Sequence, residues 1–207
     1  MTFRTLTTGL ALAGLLSACT VLPKSEPLTF YQLPAPALDR HTGAALPISL
    51  RITTPASSSA LQTTRILVTP NDNTLSSYQG ARWADPNPSL LREQLVQAFE
   101  QDGSFRSVTT ETHSLRADVH LFSDLRQFQT RYQGSQASVV IELDAKLIDP
   151  STRAVIAAHH FDVQQPLQDT SVNAVVDHFG VASEQLARDL LTWSRDALAG
   201  FEPAVLK

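Results

Sequence analysis

The side chains in this sequence that are best suited to chemistry are its six histidines, twenty carboxylates and single cysteine. His159 and His160 are adjacent on a predicted strand, so their side chains point to opposite faces and do not easily share a metal ion. The remaining histidines have no helical or strand spacing that would form a ligand set: His41, His113, His120 and His178. The sequence also lacks a Gly-rich phosphate loop, a His-Glu-x-x-His motif and a Gly-x-Ser-x-Gly motif. We therefore predict that the protein is not an enzyme and carries no metal and no cofactor.

The cysteine stands in a recognisable context. A basic residue, Arg4, precedes an apolar run and small residues, which is the pattern of a secretory signal and is too short for a membrane-spanning helix. Leu16-Ser17-Ala18-Cys19 matches the bacterial lipobox, which predicts cleavage before Cys19 and lipidation of its thiol and new amino terminus. Several acyl chains would anchor the chain stably to a membrane. The alternative is a plain secretory signal with an incidental cysteine.

Length and composition limit the remaining possibilities. The chain has 207 residues, of which 43% are hydrophobic and 17% charged, enough for one folded domain with a real core. Its formal net charge of −4 gives no sign of the basic patch that nucleic-acid binding requires, so we predict no nucleic-acid partner. We divide the chain into a signal peptide (1–18), a lipidated Pro-rich tether (19–45), a single domain (46–200) and a tail (201–207).

The stretch from Tyr78 to Gly103 joins an extended run to an amphipathic helix. Asp85 is placed to cap the helix, a proline fits its first turn, and Gly103 fits a left-handed C-cap. The same junction concentrates aromatic and charged side chains of the kind that anchor protein interfaces. The residues that we predict to contact a partner are Arg65, Tyr78, Arg82, Trp83 and Asp85. The alternative is that the junction is only a well-capped core helix, with Trp83 filling the core.

The rest of the chain predicts a sheet and a second helix. Strands are expected at 46–53, 65–69, 75–79 and 104–109, followed by three long ones at 117–131, 138–148 and 153–164. Short turns around Gly134 and Pro150 make the long strands an antiparallel meander with one solvated face. A helix from Ser171 to Leu198 is long enough to cross the sheet, and Gly180 in its middle indicates a bend or close packing. The predicted fold class is α+β: two layers, a mainly antiparallel sheet, and two amphipathic helices packed on one face.

Several segments together resemble a known family. These are the lipobox, FYQLP (30–34), ISLRITTP (48–55), the long stretch from Ala60 to Phe105 that includes YQGARWAD, ADVHLFSDLRQFQ (117–129), VIAAHHF (155–161) and the final helix with Trp193. They are similar to the ABC-type transport auxiliary lipoprotein (PqiC-like) family, and the resemblance covers essentially the whole chain after the signal peptide.

The resemblance implies a non-catalytic function. It implies a periplasm-facing lipoprotein that serves as a docking subunit of an Mce-type lipid transport system. Its partners would be an Mce-domain (PqiB-like) protein and, through it, an ABC permease and ATPase, with a homo-oligomer as a further possibility. Because Thr20 rather than Asp follows Cys19, analogy with enterobacterial sorting favours the outer membrane. Two other functions stay open: a periplasmic lipid-binding carrier, and a structural envelope lipoprotein or activator of cell-wall synthesis.

Overall fold

The computed structural model describes residues 27–203 except Asp72 and Ser114, so the signal peptide, Cys19 and most of the predicted tail lie outside the described residues. The strands are β1 (Thr29–Tyr31), β2 (Leu46–Ile52), β3 (Ala56–Ser57), β4 (Arg65–Thr69), β5 (Ser76–Trp83), β6 (Phe105–Thr110), β7 (Val119–Gln133), β8 (Gln136–Asp149) and β9 (Ala154–Leu167). The helices are α1 (Asn87–Asp102) and α2 (Val172–Leu198). Neither helix is long and apolar enough, among the residues described, to span a membrane.

Three long strands form the centre of the sheet. β7, β8 and β9 pair antiparallel along almost their full lengths, as predicted. Strict alternation places one set of β8 side chains in the core, each at most 1% exposed: Val139, Ile141, Leu143, Ala145 and Leu147. The apolar pattern that was clearest in the sequence therefore supplies the centre of the hydrophobic core.

Short strands extend the sheet on the other side of β7. β2, β3 and β4 each run parallel to a different part of β7; β6 then pairs with β2, and β5 and β1 continue from β4. The nine-stranded sheet is open and mixed, with antiparallel pairing in its long ladders, and β1 and β9 lie at opposite edges. With the two helices, this confirms the α+β class.

The first helix begins later than Asp85. Pro86 occupies the N-cap position without a side-chain cap, and Pro88 lies in the first turn. The prediction that Asp85 caps the helix is wrong, because Asp85 precedes the N-cap residue and its side chain is exposed. The helix ends as predicted: Gly103 has φ 69° and its N–H donates to Phe99 O over 3.2 Å.

The second helix starts at Ser171, whose Oγ accepts a hydrogen bond from Ala174 N. At 27 residues it is about 40 Å long and contacts β8, β9 and α1. One side carries the buried apolar side chains predicted from the helical period, including Val175, Phe179, Leu186 and Leu190. Both helices pack on a single hydrophobic cluster with the inner face of the sheet.

The prediction of a Pro-rich tether is wrong for residues 27–45. After β1, the segment 33–42, here called the strap, lies across both helices. Pro34 O accepts from Gln94 Nε2 of α1 at 2.9 Å, Ala37 N donates to Glu184 Oε2 of α2 at 2.9 Å, and His41 N donates to Asp102 O at 2.8 Å. Proline lowers the entropy lost on ordering, and the helices supply partners for the remaining polar groups. The strap is therefore part of the domain.

Candidate partner-binding surface

Trp83, the residue expected to lead a partner contact, lies in the core. It is fully buried (0% exposed), with its ring 5.3 Å from Phe179 in an edge-to-face arrangement and 6.3 Å from Phe128. Phe128 and Phe179 are themselves 4.7 Å apart, so a strand of the meander, the long helix and β5 meet at three aromatic rings. The prediction that Trp83 is an exposed contact residue is wrong, and the alternative, that Trp83 fills the core, is confirmed; the ring joins sheet and helix.

The reason lies in the length of β5. The sequence predicted a strand ending at Gln79 and a loop after it, whereas β5 continues to Trp83. Trp83 N donates to Thr64 O at 2.7 Å, and Ala84 N donates to Tyr31 O at 2.8 Å. Since side chains alternate along a strand, Ala81 and Trp83 face the core and Arg82 faces solvent.

The structure brings Arg82 and Arg65 together. They are cross-strand partners between β4 and β5, and Phe30 of β1 is the partner of Arg82 on its other side. Partners in a sheet share a face, so these three side chains form a row across the solvent face, here called the Phe30 row. Phe30 is 64% exposed, Arg65 is exposed and Arg82 is half-buried.

The Phe30 row has the character of a contact site. Among the described residues, neither guanidinium lies within 4 Å of a carboxylate; Arg82 Nη1 donates instead to Ala81 O at 2.7 Å. Two like charges directly opposite each other disfavour folding, and a large exposed aromatic beside them is unusual at a free sheet edge. Phe30 carries no local signal in the sequence that marks it as a contact residue, since its place in this row depends on the pairing of β1 with β5.

Tyr78 and Asp85, the other two predicted contact residues, are not part of the Phe30 row. Tyr78 is half-buried near the start of β5, beside Thr130 and Tyr132, and burial raises its pKa to about 12. Its hydroxyl therefore stays neutral at physiological pH. Asp85 is exposed in the turn between β5 and α1.

Asn87, and not Asp85, holds the start of α1 in place, although it does so by donating hydrogen bonds to a neighbouring loop and not by capping the helix. It is completely buried, and its Nδ2 donates to Leu61 O and to Thr63 O, each at 3.0 Å, while its backbone N–H donates to Thr63 O. The side chain thus fixes the start of α1 to the loop before β4. An asparagine between two prolines was the available signal in the sequence.

Farther along the solvent face, β7, β8 and β9 carry a network of opposite charges. Arg126 Nε donates to Asp144 Oδ2 at 2.8 Å, and His160 Nδ1 is hydrogen-bonded to Asp144 Oδ1 at 2.7 Å. The hydrogen bond with Asp144 raises the pKa of His160, while the bonds from His160 and then Arg126 lower the pKa of Asp144. These groups keep the outer face of the meander hydrated.

Two open grooves lie at other parts of the domain. One, of about 620 Å³, includes Arg51, Glu111 and His120, and burial followed by the charge of Arg51 lowers the pKa of His120. The other, of about 650 Å³, runs between β9 and α2 and is lined by His159, Phe161 and Trp193 among others. Within residues 27–203, no group of three His, Cys, Asp or Glu side chains is arranged to hold a metal ion.

An exposed aromatic beside two arginines at the edge of an open sheet is characteristic of an interaction domain. A family model described as the ABC-type transport auxiliary lipoprotein component matches residues 31–190. The chain belongs to this family, which confirms the resemblance drawn from the sequence. The family is described as an auxiliary lipoprotein component of ABC-type transport.

Solved structures share the fold. Protein XCC0632 from Xanthomonas campestris is 29% identical with a TM-score of 0.75, over 82% of this chain and 96% of that one. An uncharacterised protein is 19% identical with a TM-score of 0.64, over 82% of this chain and 99% of its own. Protein CT253 from Chlamydia trachomatis is 10% identical with a TM-score of 0.52, over 75% and 100% of the two chains, and shows the fold alone. No curated protein sequence matches this chain.

Proposed function

We propose that this auxiliary lipoprotein is the outer-membrane docking subunit of an Mce-type lipid transport system. It is anchored through Cys19, faces the periplasm, and receives an Mce-domain protein that connects it to an ABC permease and ATPase. The observation that carries the docking role is the Phe30 row, in which an exposed aromatic lies at the edge of the sheet with two arginines that have no carboxylate partner among the described residues. Its function in this proposal is binding, and the lipid-moving chemistry belongs to the partners.

The position of the row relative to the anchor supports this role. Since residues 27–45 belong to the domain, only seven residues, Thr20–Glu26, separate Cys19 from the described fold. Eight residue steps span at most about 28 Å even when fully extended. Phe30 is three residues after Pro27, so the row lies within reach of the membrane that holds the lipid anchor.

Charge favours a partner with acidic groups at the contact. The chain as a whole is acidic, with a formal net charge of −4, yet the Phe30 row contains two arginines and no carboxylate. An aromatic and arginines are the residue types that most often dominate binding energy at interfaces. Tyr78 and Asp85 belong to the proposed contact only as flanking residues, and Trp83 supports the row from the core.

The test is co-purification with the Mce-domain protein whose gene accompanies that of this chain. Replacing both arginines (Arg65→Glu with Arg82→Glu) should weaken retention at least tenfold, with the far-ultraviolet circular dichroism spectrum unchanged. Phe30→Ser should weaken it as well. Arg153→Glu is the control, because Arg153 is exposed in the turn between β8 and β9. A folded double variant that binds like the wild type removes the proposal.

The anchor has its own test. Labelling with radioactive palmitate should mark the wild type and not Cys19→Ser, and gradient fractionation should place the labelled protein with outer-membrane markers. Sedimentation with the inner membrane would remove the outer-membrane part of the proposal while leaving the auxiliary role in place.

The competing carrier function finds no support in the core. The apolar face of β8, which would line a lipid cavity, is at most 1% exposed and belongs to one packed cluster with both helices. Mass spectrometry of the purified protein should find no copurifying lipid beyond the covalent anchor.

A further inference from the structure

The sheet has a second edge, far from the Phe30 row, with features that the docking role does not use. β9 is 14 residues long and pairs with β8 alone among the described residues. Its outer edge therefore presents backbone N–H and C=O groups without a neighbouring strand. Its first five residues are Ala154, Val155, Ile156, Ala157 and Ala158, with no charge among them, and Val155 is 56% exposed. A long edge that begins with five uncharged residues is the kind that recruits another strand.

A groove runs beside this edge. The core-facing side chains of β9 lean toward α2 and form an aromatic cluster: His159 and Phe161 are 4.6 Å apart, and Trp193 lies 6.0 Å and 5.8 Å from them. His159 is exposed and Trp193 is half-buried, so with the buried Phe161 they form a partly apolar floor that lines the open groove. The part of α2 that lines the groove, Asp189 to Ala197, spans about 12 Å, the length of about four residues of an extended chain.

The rim of the groove is acidic. Asp162 of β9 and Asp189 and Asp196 of α2 line it, and no lysine or arginine does. Asp189 accepts a hydrogen bond from Gln185, and no cation lies within 4 Å of any of the three carboxylates among the described residues. The field of these carboxylates favours a cationic ligand.

We propose that the outer edge of β9 and the β9–α2 groove form a binding site for an extended, basic segment of a partner protein. The segment adds to the sheet as a tenth strand through backbone hydrogen bonds. Alternate apolar side chains rest on Phe161 and Trp193, and lysine or arginine side chains meet the aspartates of the rim. The site is on the opposite edge from the Phe30 row and does not depend on the docking proposal.

The test uses the full chain in non-ionic detergent and a fluorescein-labelled peptide of six residues in which lysine alternates with phenylalanine or valine. Fluorescence anisotropy measures binding, and Trp193 emission reports contact with the groove; Trp193→Phe identifies that signal. We expect saturable binding that changes Trp193 emission. A peptide with glutamate for lysine should bind at least tenfold more weakly. In an extended peptide, every second backbone N–H points to the same side. We therefore expect that N-methylation of one of these two alternating sets of residues also abolishes binding, since it removes the hydrogen bonds to β9.

A variant of the protein tests the acidic rim. Asp189→Asn with Asp196→Asn should lower the affinity three- to tenfold at low salt, and the difference should shrink at high salt. Asp177→Asn is the matched control, because Asp177 is exposed on the same helix but does not line the groove.

Any of three results would overturn the proposal. The glutamate peptide could bind as tightly as the lysine peptide, both N-methylated peptides could bind like the unmodified one, or Trp193 emission could stay unchanged on binding. Concentration-dependent self-association that changes Trp193 emission and excludes the peptide would also overturn it, because it would assign the edge to a second copy. No Mce protein takes part in this assay, so its outcome is separate from that of the docking test.

Discussion

Gly180 and Pro34 touch where the strap crosses α2. A Cβ atom added to Gly180 would lie 2.8 Å from both Cβ and Cγ of Pro34, closer than two carbon atoms can pack. Pro34 lies 146 positions before Gly180 in the chain, so only the tertiary structure brings the two residues together. The contact explains why a helix tolerates glycine at its centre: the missing side chain makes room for the strap.

Gly180→Ala should therefore destabilise the domain although it improves helix propensity. Overpacking costs about 1–3 kcal/mol and the gain in helix propensity returns about 1 kcal/mol, so we expect a net loss of up to about 2 kcal/mol in urea unfolding. Gly200→Ala is the control, because no atom lies within 4 Å of its added Cβ. Adding Pro34→Gly should relieve the effect of Gly180→Ala; no relief would mean that the strap is not held at this point.

Trp83→Ala should remove about 3–5 kcal/mol of stability, because it opens a cavity between Phe128 and Phe179. Trp193→Ala should cost clearly less, since Trp193 is only half-buried. Urea unfolding of the two variants measures the difference. Equal losses would contradict the assignment of Trp83 to the core, and any loss of partner binding in Trp83→Ala must be interpreted together with its lost stability.

Asn87→Ala should cost about 1–3 kcal/mol, because it leaves Leu61 O and Thr63 O without their side-chain donor in a buried place. Asp85→Ala should change stability by less than about 0.5 kcal/mol, as is usual for an exposed residue without a capping role. Thermal and urea unfolding of both variants test this contrast. A larger loss for Asp85→Ala would restore the capping role that the sequence suggested.

The Asp144–His160 pair should make stability depend on pH. Because the folded-state pKa of His160 is raised, its contribution is full below its ordinary pKa near 6.5 and is lost as pH rises through the folded-state pKa. The pKa of Asp144 is lowered, so its contribution is present above its ordinary value near 3.8 and is lost as pH falls through the folded-state pKa. The pair therefore helps most between these limits.

Nuclear magnetic resonance titration should give His160 a pKa above 6.5, and Asp144→Asn should lower it. The fall in urea midpoint from pH 6 to pH 8 should be smaller in His160→Gln than in the wild type. Asp124→Asn serves as a control, because Asp124 lies on the same face but does not contact His160. An unchanged His160 titration in Asp144→Asn would show that the pair does not form in solution.

Local patterns predicted the elements well where one face of an element is apolar and the other polar. β4 begins and ends at the predicted residues, and β8 buries the predicted set of side chains. In β9 the same alternation was less informative: Val155 is exposed and Phe161 is buried, because a register shift opposite Leu147 and Ile148 moves the start of the strand relative to the core.

The candidate site was predicted only in part. Arg65 and Arg82 were identified by residue type, but their pairing with each other and with Phe30 follows from the order β1–β5–β4, which joins segments distant in sequence. A strand that ends at Gln79 would leave Trp83 in a loop, so the sequence allows both a contact role and a core role for it. Two backbone hydrogen bonds, from Trp83 to Thr64 and from Ala84 to Tyr31, hold the strand beyond that point.

The sequence by itself determined the lipobox at Cys19, the family, and the strand and helix patterns, because these depend on residue type and short spacing. Only the tertiary structure decided that residues 27–45 belong to the domain, that Trp83 faces Phe179, and that the Phe30 row and the β9–α2 groove exist. From its sequence alone, a proline-rich segment is typical of a flexible tether. In the folded protein, the two helices supply hydrogen-bond partners for its polar groups, and Gly180 makes room for the ring of Pro34. Those partners lie far away in the sequence, so the local residue pattern of the segment does not predict its contacts with them.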